Sequence, residues 1–255
     1  MTDPYMPDHR IELEPSPRWV RVYFNGELIG DSRAMMLLRE SGRLPVYYFP
    51  KKDVCMEYLK PSDRPASSAP KGDGMFWDVR VGDSTAKDAA FTFRNRSGSG
   101  PIPEGYIGFV WNKMSAWFEE DEEVFVHARD PYSRVDVLHS SRHIKVVIDD
   151  VAVAETERPR LLFETGLPTR FYIPRQDVCM GLLGQSDTVT HCPYKGEAHY
   201  YSVTIGDTVR KDIVWYYRYP VPECTKIQDL LCFFNEKVDI YEDAERLPRP
   251  TSPWS

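Results

Sequence analysis

The segment Thr190-His191-Cys192-Pro193-Tyr194-Lys195-Gly196, followed by His199, Tyr200 and Tyr201, is the densest run of reactive side chains in the 255-residue sequence. Imidazoles, a thiol, phenols and an amine stand close together in a stretch punctuated by Pro and Gly, the composition of a loop between two strands. Lys195 offers three kinds of chemistry: a cation for a carboxylate or phosphate, a desolvated amine of lowered pKa, or a Schiff-base nucleophile. His191 is its natural acid/base partner, since an imidazole titrates near neutral pH. Strand alternation over Ala198 to Ser202 puts His199 and Tyr201 on one face and Tyr200 and Ser202 on the other, so one of these pairs can line a pocket. An architectural role is the alternative: a Pro-Tyr-Lys-Gly turn, with Lys195 paired to Asp177 or Asp187 and Cys192 a small buried hydrophobe.

The elements that must hold these residues occur twice. Tyr48-Phe49-Pro50-Lys51-Lys52-Asp53-Val54-Cys55-Met56 matches Tyr172-Ile173-Pro174-Arg175-Gln176-Asp177-Val178-Cys179-Met180 at an offset of 124 residues. At the same offset Glu40 falls on Glu164, Ser62-Asp63 on Ser186-Asp187, Lys71-Gly72 on Lys195-Gly196, and Asp88 on Asp212. Self-similarity of this kind marks a duplicated structural unit. Asp53 and Asp177, with Cys55 and Cys179, hold the same repeat position and are expected to serve the fold. The positions of His191, Cys192 and Tyr194 are taken in the first copy by Ser67, Ser68 and Pro70, so the second copy is expected to carry the site. The Gly/Ser segment Ser97–Gly100 reads as a lengthened surface loop. Glu119–Glu123 and Asp130-Pro131-Tyr132 read as an exposed acidic linker between units spanning 11–127 and 134–247.

Within each copy the hydrophobic period is two. Trp19 to Phe24 alternates up to Asn25-Gly26, a strong signal for a two-residue type I′ hairpin. Met75–Val81 before Gly82-Asp83 and Tyr200–Ile205 before Gly206-Asp207 repeat the pattern, each leading into an aromatic strand that ends near Phe93 or Tyr217. Helical spacing occurs only over Glu223–Phe234, where Ile227, Leu230, Leu231 and Phe234 share a face after Pro222. The expected fold class is mainly β: two tandem domains of antiparallel hairpins, each with a short helix. Trp215 and Tyr217 share a face of their strand and either pack in the core or form an aromatic wall for a planar ligand.

With 32 Lys and Arg against 39 Asp and Glu, the formal charge is −7, and no basic run is present to neutralise phosphates. A nucleic-acid partner is therefore not expected. The longest apolar stretches are strand-sized and Met1–Arg10 lacks the apolar core of a signal peptide, which gives no membrane partner and a cytoplasmic expectation. The 5 cysteines are an odd set without Cys-x-x-Cys spacing, so reduced thiols and no metal site are expected.

The motifs Tyr172-x-Pro174-x-x-Asp177-Val178, Ser186-Asp187-Thr188, Cys192-Pro193-Tyr194-Lys195-Gly196 and Tyr200-Tyr201-Ser202-Val203 together resemble the tandem form of domain of unknown function 427. That family is sometimes labelled nucleotidyltransferase-like, and the resemblance covers Ile11 to Leu247. It implies a β-tent fold, two antiparallel sheets over a cleft, and points to Asp187, Cys192, Tyr194, Lys195 and Trp215 in the second copy. In the first copy only Asp63 and Lys71 keep those identities. Other β-tent proteins often hold zinc through paired Cys-x-x-Cys knuckles; none occurs here, so no structural zinc is expected.

These readings favour a cofactor-independent enzyme acting on a small organic molecule by acid/base chemistry (isomerase, lyase, cyclase or hydrolase), with secondary metabolism as its expected setting. Lys195, His191, Tyr194 and His199 are its catalytic candidates, with Tyr201, Trp215, Tyr217, Cys192 and Asp187 as substrate contacts. A noncatalytic small-molecule-binding module is the first alternative. A nucleotidyltransferase is the second, but the sequence has neither a Gly-rich phosphate loop nor a closely spaced Asp pair for Mg²⁺. The repeats are expected to pack on each other in a monomer or weak dimer.

Overall fold

The structure, a computed structural model, describes residues 10–68, 72–94 and 104–252. Lys71 and the Ser97–Gly100 segment lie outside them. The chain divides between Asp130 and Pro131 into two compact units, each built from one seven-stranded and one four-stranded antiparallel sheet with the same strand order.

In the second unit the large sheet runs, edge to edge, through Val135–His139, Arg160–Glu164, Arg170–Ile173, Leu231–Phe233, Thr208–Pro220, Gly196–Ile205 and Leu183–Cys192. The small sheet is Val151–Thr156, Ile144–Ile148, Asp239–Glu242 and Glu245–Arg246. The first unit repeats this order with Ile11–Ser16, Met35–Glu40, Val46–Pro50, Tyr106–Phe109, Ser84–Arg94, Gly72–Val81 and Leu59–Ser68 in the large sheet. Its small sheet is Glu122–Glu123, Ala116–Glu119, Val20–Phe24 and Glu27–Ser32.

The hairpins form where the turn residues dictate. Asn25 (φ 49°) and Gly26 (φ 83°) both adopt positive φ, as a type I′ turn demands, and Gly82 and Gly206 open the long hairpins at φ 56°. Alternation then sends one set of side chains from each large sheet onto the small sheet. In the second unit Ile144, Val146 and Val153 from the small sheet close over Phe171, Val203, Val214 and Tyr216 from the large one. The opposite, outer face of the large sheet carries a separate core of Leu162, Tyr172, Ala198, Trp215, Tyr217 and Cys232, covered by Cys224 and Ile227.

Two expectations are corrected. The helix expected over Glu223–Phe234 is a single 3₁₀ segment, Pro222–Ile227, after which the chain turns and enters the strand Leu231–Phe233. The apolar spacing was real, but Ile227 and Leu231 are buried by the sheet face they reach rather than by one side of a helix. The acidic run Glu119–Glu123 is not a linker: Glu119 ends one strand and Glu122–Glu123 is the next. The Glu119 carboxylate accepts hydrogen bonds from Arg18 (2.6 Å) and the buried Tyr47 hydroxyl (2.8 Å), so its charge is consumed inside the unit.

The repeated aspartates are fold elements. Asp53 accepts from Ser32 Oγ and Asp177 from Thr156 Oγ1, both at 2.7 Å, tying the strand end to the 3₁₀ turn in each unit.

Candidate functional site

Residues 183–220 build the candidate site from two long hairpins. Thr190, His191 and Cys192 belong to the strand Leu183–Cys192 rather than to a loop, and only Pro193–Lys195 turn before the strand Gly196–Ile205 begins. The register pairs His191 with Glu197, Thr190 with Ala198 and Cys192 with Gly196. On the next strand His199 pairs with Tyr216, Tyr200 with Trp215 and Ala198 with Tyr217. Directly paired residues share a face, so this register sorts the reactive side chains into two groups on opposite sides of the sheet.

The outer face receives Cys192, Trp215, Tyr217 and Lys195. The Lys195 ammonium lies 2.5 Å from Glu164 Oε2, with side chains only 12% and 8% exposed; its partner is neither Asp177 nor Asp187. Burial alone would lower the Lys195 pKa, but Cys192 and the Glu164 carboxylate more than offset it and hold the amine above its ordinary value. The group is a protonated cation and not a free amine. Trp215 Nε1 donates to the buried Tyr172 hydroxyl at 3.1 Å. Burial lifts the Tyr172 and Tyr217 phenols well above the usual range, and the thiols of Cys224 and Cys232 to about 11 and about 12. This side is a packed core around a buried ion pair. The Tyr194 carbonyl accepts from Cys224 Sγ at 3.4 Å, while Asp187 is exposed on the irregular stretch between Gln185 and Val189.

The inner face gathers the other group. Glu197 bridges both imidazoles, with Oε2 3.2 Å from His191 Nε2 and Oε1 3.0 Å from His199 Nε2. The His199 ring lies 5.6 Å from that of Tyr216, which stacks on Tyr201 with centroids 5.2 Å apart and an interplanar angle of 28°. Arg175 donates from Nη2 to the Tyr201 hydroxyl at 2.8 Å and sits over both rings, 5.0 Å from the Tyr216 centroid. Burial, with the neighbouring Tyr201, raises the Tyr216 pKa. A depression of about 400 Å³ opens here, lined by Arg175, Gln185, Tyr201, Tyr216, Arg218 and Asp229.

The structure thus puts His191, His199 and Tyr201 on one face of the sheet, with Tyr201 alone of the three lining the depression, and places Lys195, Cys192, Trp215 and Tyr217 on the other side. Arg175, Glu197, Tyr216 and Arg218 were not among the sequence candidates. Tyr216 was reachable: a hairpin turning at Gly206-Asp207 sets even-numbered residues of the returning strand opposite His199 and Tyr201. A larger depression of about 480 Å³ on the outer side of the small sheet includes His143, Lys145, Glu155 and Tyr241. Its His143 is bonded to Glu155 at 2.9 Å, but no stacked rings floor it. Among the described residues no group of three or more His, Cys, Asp or Glu converges as metal ligands, and no helix is long and apolar enough to cross a membrane.

Duplicated antiparallel sheet pairs, with one set of inner-face side chains differentiated from the other, define a tandem two-unit β protein. The model for the domain of unknown function DUF427, whose short label reads as a nucleotidyltransferase, matches the chain twice, over residues 12–120 and 136–244. The chain belongs to that family. No curated protein matches it.

Proposed function

We propose that the second unit is a cofactor-independent enzyme acting on a small organic molecule by proton transfer, with the ligand seated on Tyr201 and Tyr216 and His199 as the acid/base. The observation that carries this reading is the Glu197 carboxylate held by two imidazoles on the same face as the stacked tyrosines. An ionised carboxylate only accepts hydrogen bonds. His199 Nε2 stands 3.0 Å from Glu197 Oε1, and the tautomer that turns Nε2–H toward that carboxylate leaves Nδ1 as the basic atom beside the ring stack. A carboxylate that orients an imidazole also stabilises the imidazolium formed when it takes a proton. Arg175 fixes the Tyr201 hydroxyl and supplies positive charge for an oxyanion developing on the ligand. Isomerisation, dehydration, cyclisation and hydrolysis can each use an acid/base and a cation arranged in this way.

In this reading Lys195 is a positioning residue. Its ion pair with Glu164 anchors the hairpin turn between His191 and His199 to the strand Arg160–Glu164. Turnover of a library of small organic acids, esters and enolisable carbonyl compounds tests the proposal with His199→Gln and Tyr201→Ala. His199→Gln should abolish turnover while leaving binding within a few fold, and Tyr201→Ala should weaken binding. A ligand that binds through Tyr201 and is never altered would make this unit a binding module; full turnover by both His199→Gln and His191→Gln would end the acid/base assignment.

A further inference from the structure

We infer that the ligand of the inner-face site is a flat aromatic carboxylate carrying a hydroxyl or amino substituent, bound once per chain. This rests on the reading above that the depression is the ligand site, and it adds the ligand's class and stoichiometry.

The floor selects flatness. Tyr201 stacks at 28° on Tyr216, which is only 6% exposed, and the Arg175 guanidinium lies over both rings, so the flat surface offered to a ligand is the guanidinium plane together with the exposed part of Tyr201. An unsaturated ring gains dispersion and quadrupole contacts on such a surface that a puckered ring of equal size does not. The charge selects an acid. Arg175 and Arg218 line the depression against a single carboxylate, Asp229. Arg175 directs one N–H to Tyr201, leaving others of its five unspent. Arg218 makes no hydrogen bond or ion pair with another described residue. A guanidinium presents paired N–H groups that match a carboxylate's two oxygens. Asp229, an acceptor, would be repelled by an unsubstituted anion placed beside it and is satisfied by a ligand hydroxyl or amine at the far end of the ring.

The stoichiometry follows from the repeat. At the 124-residue offset the first unit keeps an arginine, Arg94, for Arg218, but has Lys51 for Arg175, Pro61 for Gln185, Trp77 for Tyr201, Thr92 for Tyr216 and Gly105 for Asp229. Trp77 is 9% exposed, and Thr92 Oγ1 is directed to the Tyr106 carbonyl at 2.7 Å. Neither the ring stack nor the acid is reproduced there.

Calorimetric titration of the full chain with 4-hydroxybenzoate tests the inference against three probes: 4-hydroxybenzamide, which is flat but neutral, cyclohexanecarboxylate, which is charged but not flat, and adenosine monophosphate. The expected result is one 4-hydroxybenzoate per chain, with each of the first two probes weaker by about tenfold or more. Arg218→Ala should weaken 4-hydroxybenzoate by a similar factor, and Arg218→Lys should recover only part of it. The inference is overturned if the amide or the saturated acid binds as well as 4-hydroxybenzoate, if two molecules bind per chain, if Arg218→Ala has no effect, or if only the nucleotide binds. A neutral or non-aromatic compound that is turned over in a His199-dependent manner would remove this ligand class and leave the proposed acid/base function standing.

Discussion

Lys195→Met separates an architectural lysine from a chemical one. In the wild type the ammonium and the Glu164 carboxylate are 2.5 Å apart with side chains 12% and 8% exposed, so the substitution keeps most of the apolar stem but leaves a buried carboxylate without its counter-charge. Breaking one side of a buried pair costs about 3–5 kcal/mol, whereas replacing both partners with apolar groups is often close to neutral. Lys195→Met should therefore destabilise the second unit by about 3–5 kcal/mol, and Lys195→Met combined with Glu164→Leu should return to within about 1–2 kcal/mol of wild type. Two units need not unfold together, so the assay is amide hydrogen exchange read by mass spectrometry on peptides from 183–205. At 1.36 kcal/mol per decade, protection of the slowest amides should fall by roughly two to four powers of ten in the single variant and largely recover in the double variant. A single variant within about 1 kcal/mol of wild type would refute the reasoning and make Lys195 available for chemistry.

Other expectations follow from how the two copies differ. Tyr48 and Tyr172 are equivalent and fully buried, but Trp215 donates to Tyr172 whereas Phe91 occupies its place beside Tyr48, whose hydroxyl has no hydrogen-bond partner among the described residues. Urea denaturation should show Tyr48→Phe neutral or stabilising by about 1 kcal/mol and Tyr172→Phe destabilising by about 1–3 kcal/mol, because the second change strands the Trp215 N–H. Glu236 is paired bidentately with Arg170 at 2.7 and 2.8 Å. Burial opposes its ionisation, but the Arg170 and Ser252 bonds outweigh it and hold the carboxyl down at about 2, below its ordinary value of 4.5. A depressed acid stabilises the folded state fully above the unfolded value and loses that contribution as pH falls toward the folded one. Acid titration followed by circular dichroism should therefore show stability lost between about pH 4.5 and about pH 2, with a shallower decline in Glu236→Gln. Among the thiols, iodoacetamide should label exposed Cys179 first, while buried Cys224 and Cys232, raised to about 11 and about 12, should react only on unfolding.

The duplication and the hairpins were legible because both rest on local chemistry. Asn25-Gly26 supplies the two positive φ values its turn needs, and the 124-residue offset needs only residue identity. Where sequence reading stopped short, the missing quantity was which face each strand presents and what covers it. Lys195 and His191 are four positions apart and looked like partners, yet the strand and turn between them send one to Glu164 and the other to Glu197. Alternation pairs Tyr201 with His199 and Trp215 with Tyr217 but does not tell whether the two pairs share a face; the hairpin register sets Tyr201 opposite Val214 and puts Trp215 and Tyr217 on the far face. Arg175 lies inside a motif shared by both copies, with Lys51 at the equivalent position. Its role depends on the tyrosine pair that the first copy lacks. The helix over Glu223–Phe234 failed for a different reason: a period near 3.6 over so few residues cannot be told from a 3₁₀ turn entering a buried strand.

On the proposed function, ligands bind on the Tyr201–Tyr216 face of the second unit. A thermal-shift screen of small organic acids on the wild type and Tyr201→Ala in parallel tests it most directly, because a ligand specific for the folded state raises the melting temperature by mass action. Compounds that stabilise the wild type and lose that effect in Tyr201→Ala are the predicted result. Stabilisation that persists undiminished in Tyr201→Ala would place the site elsewhere and contradict the account.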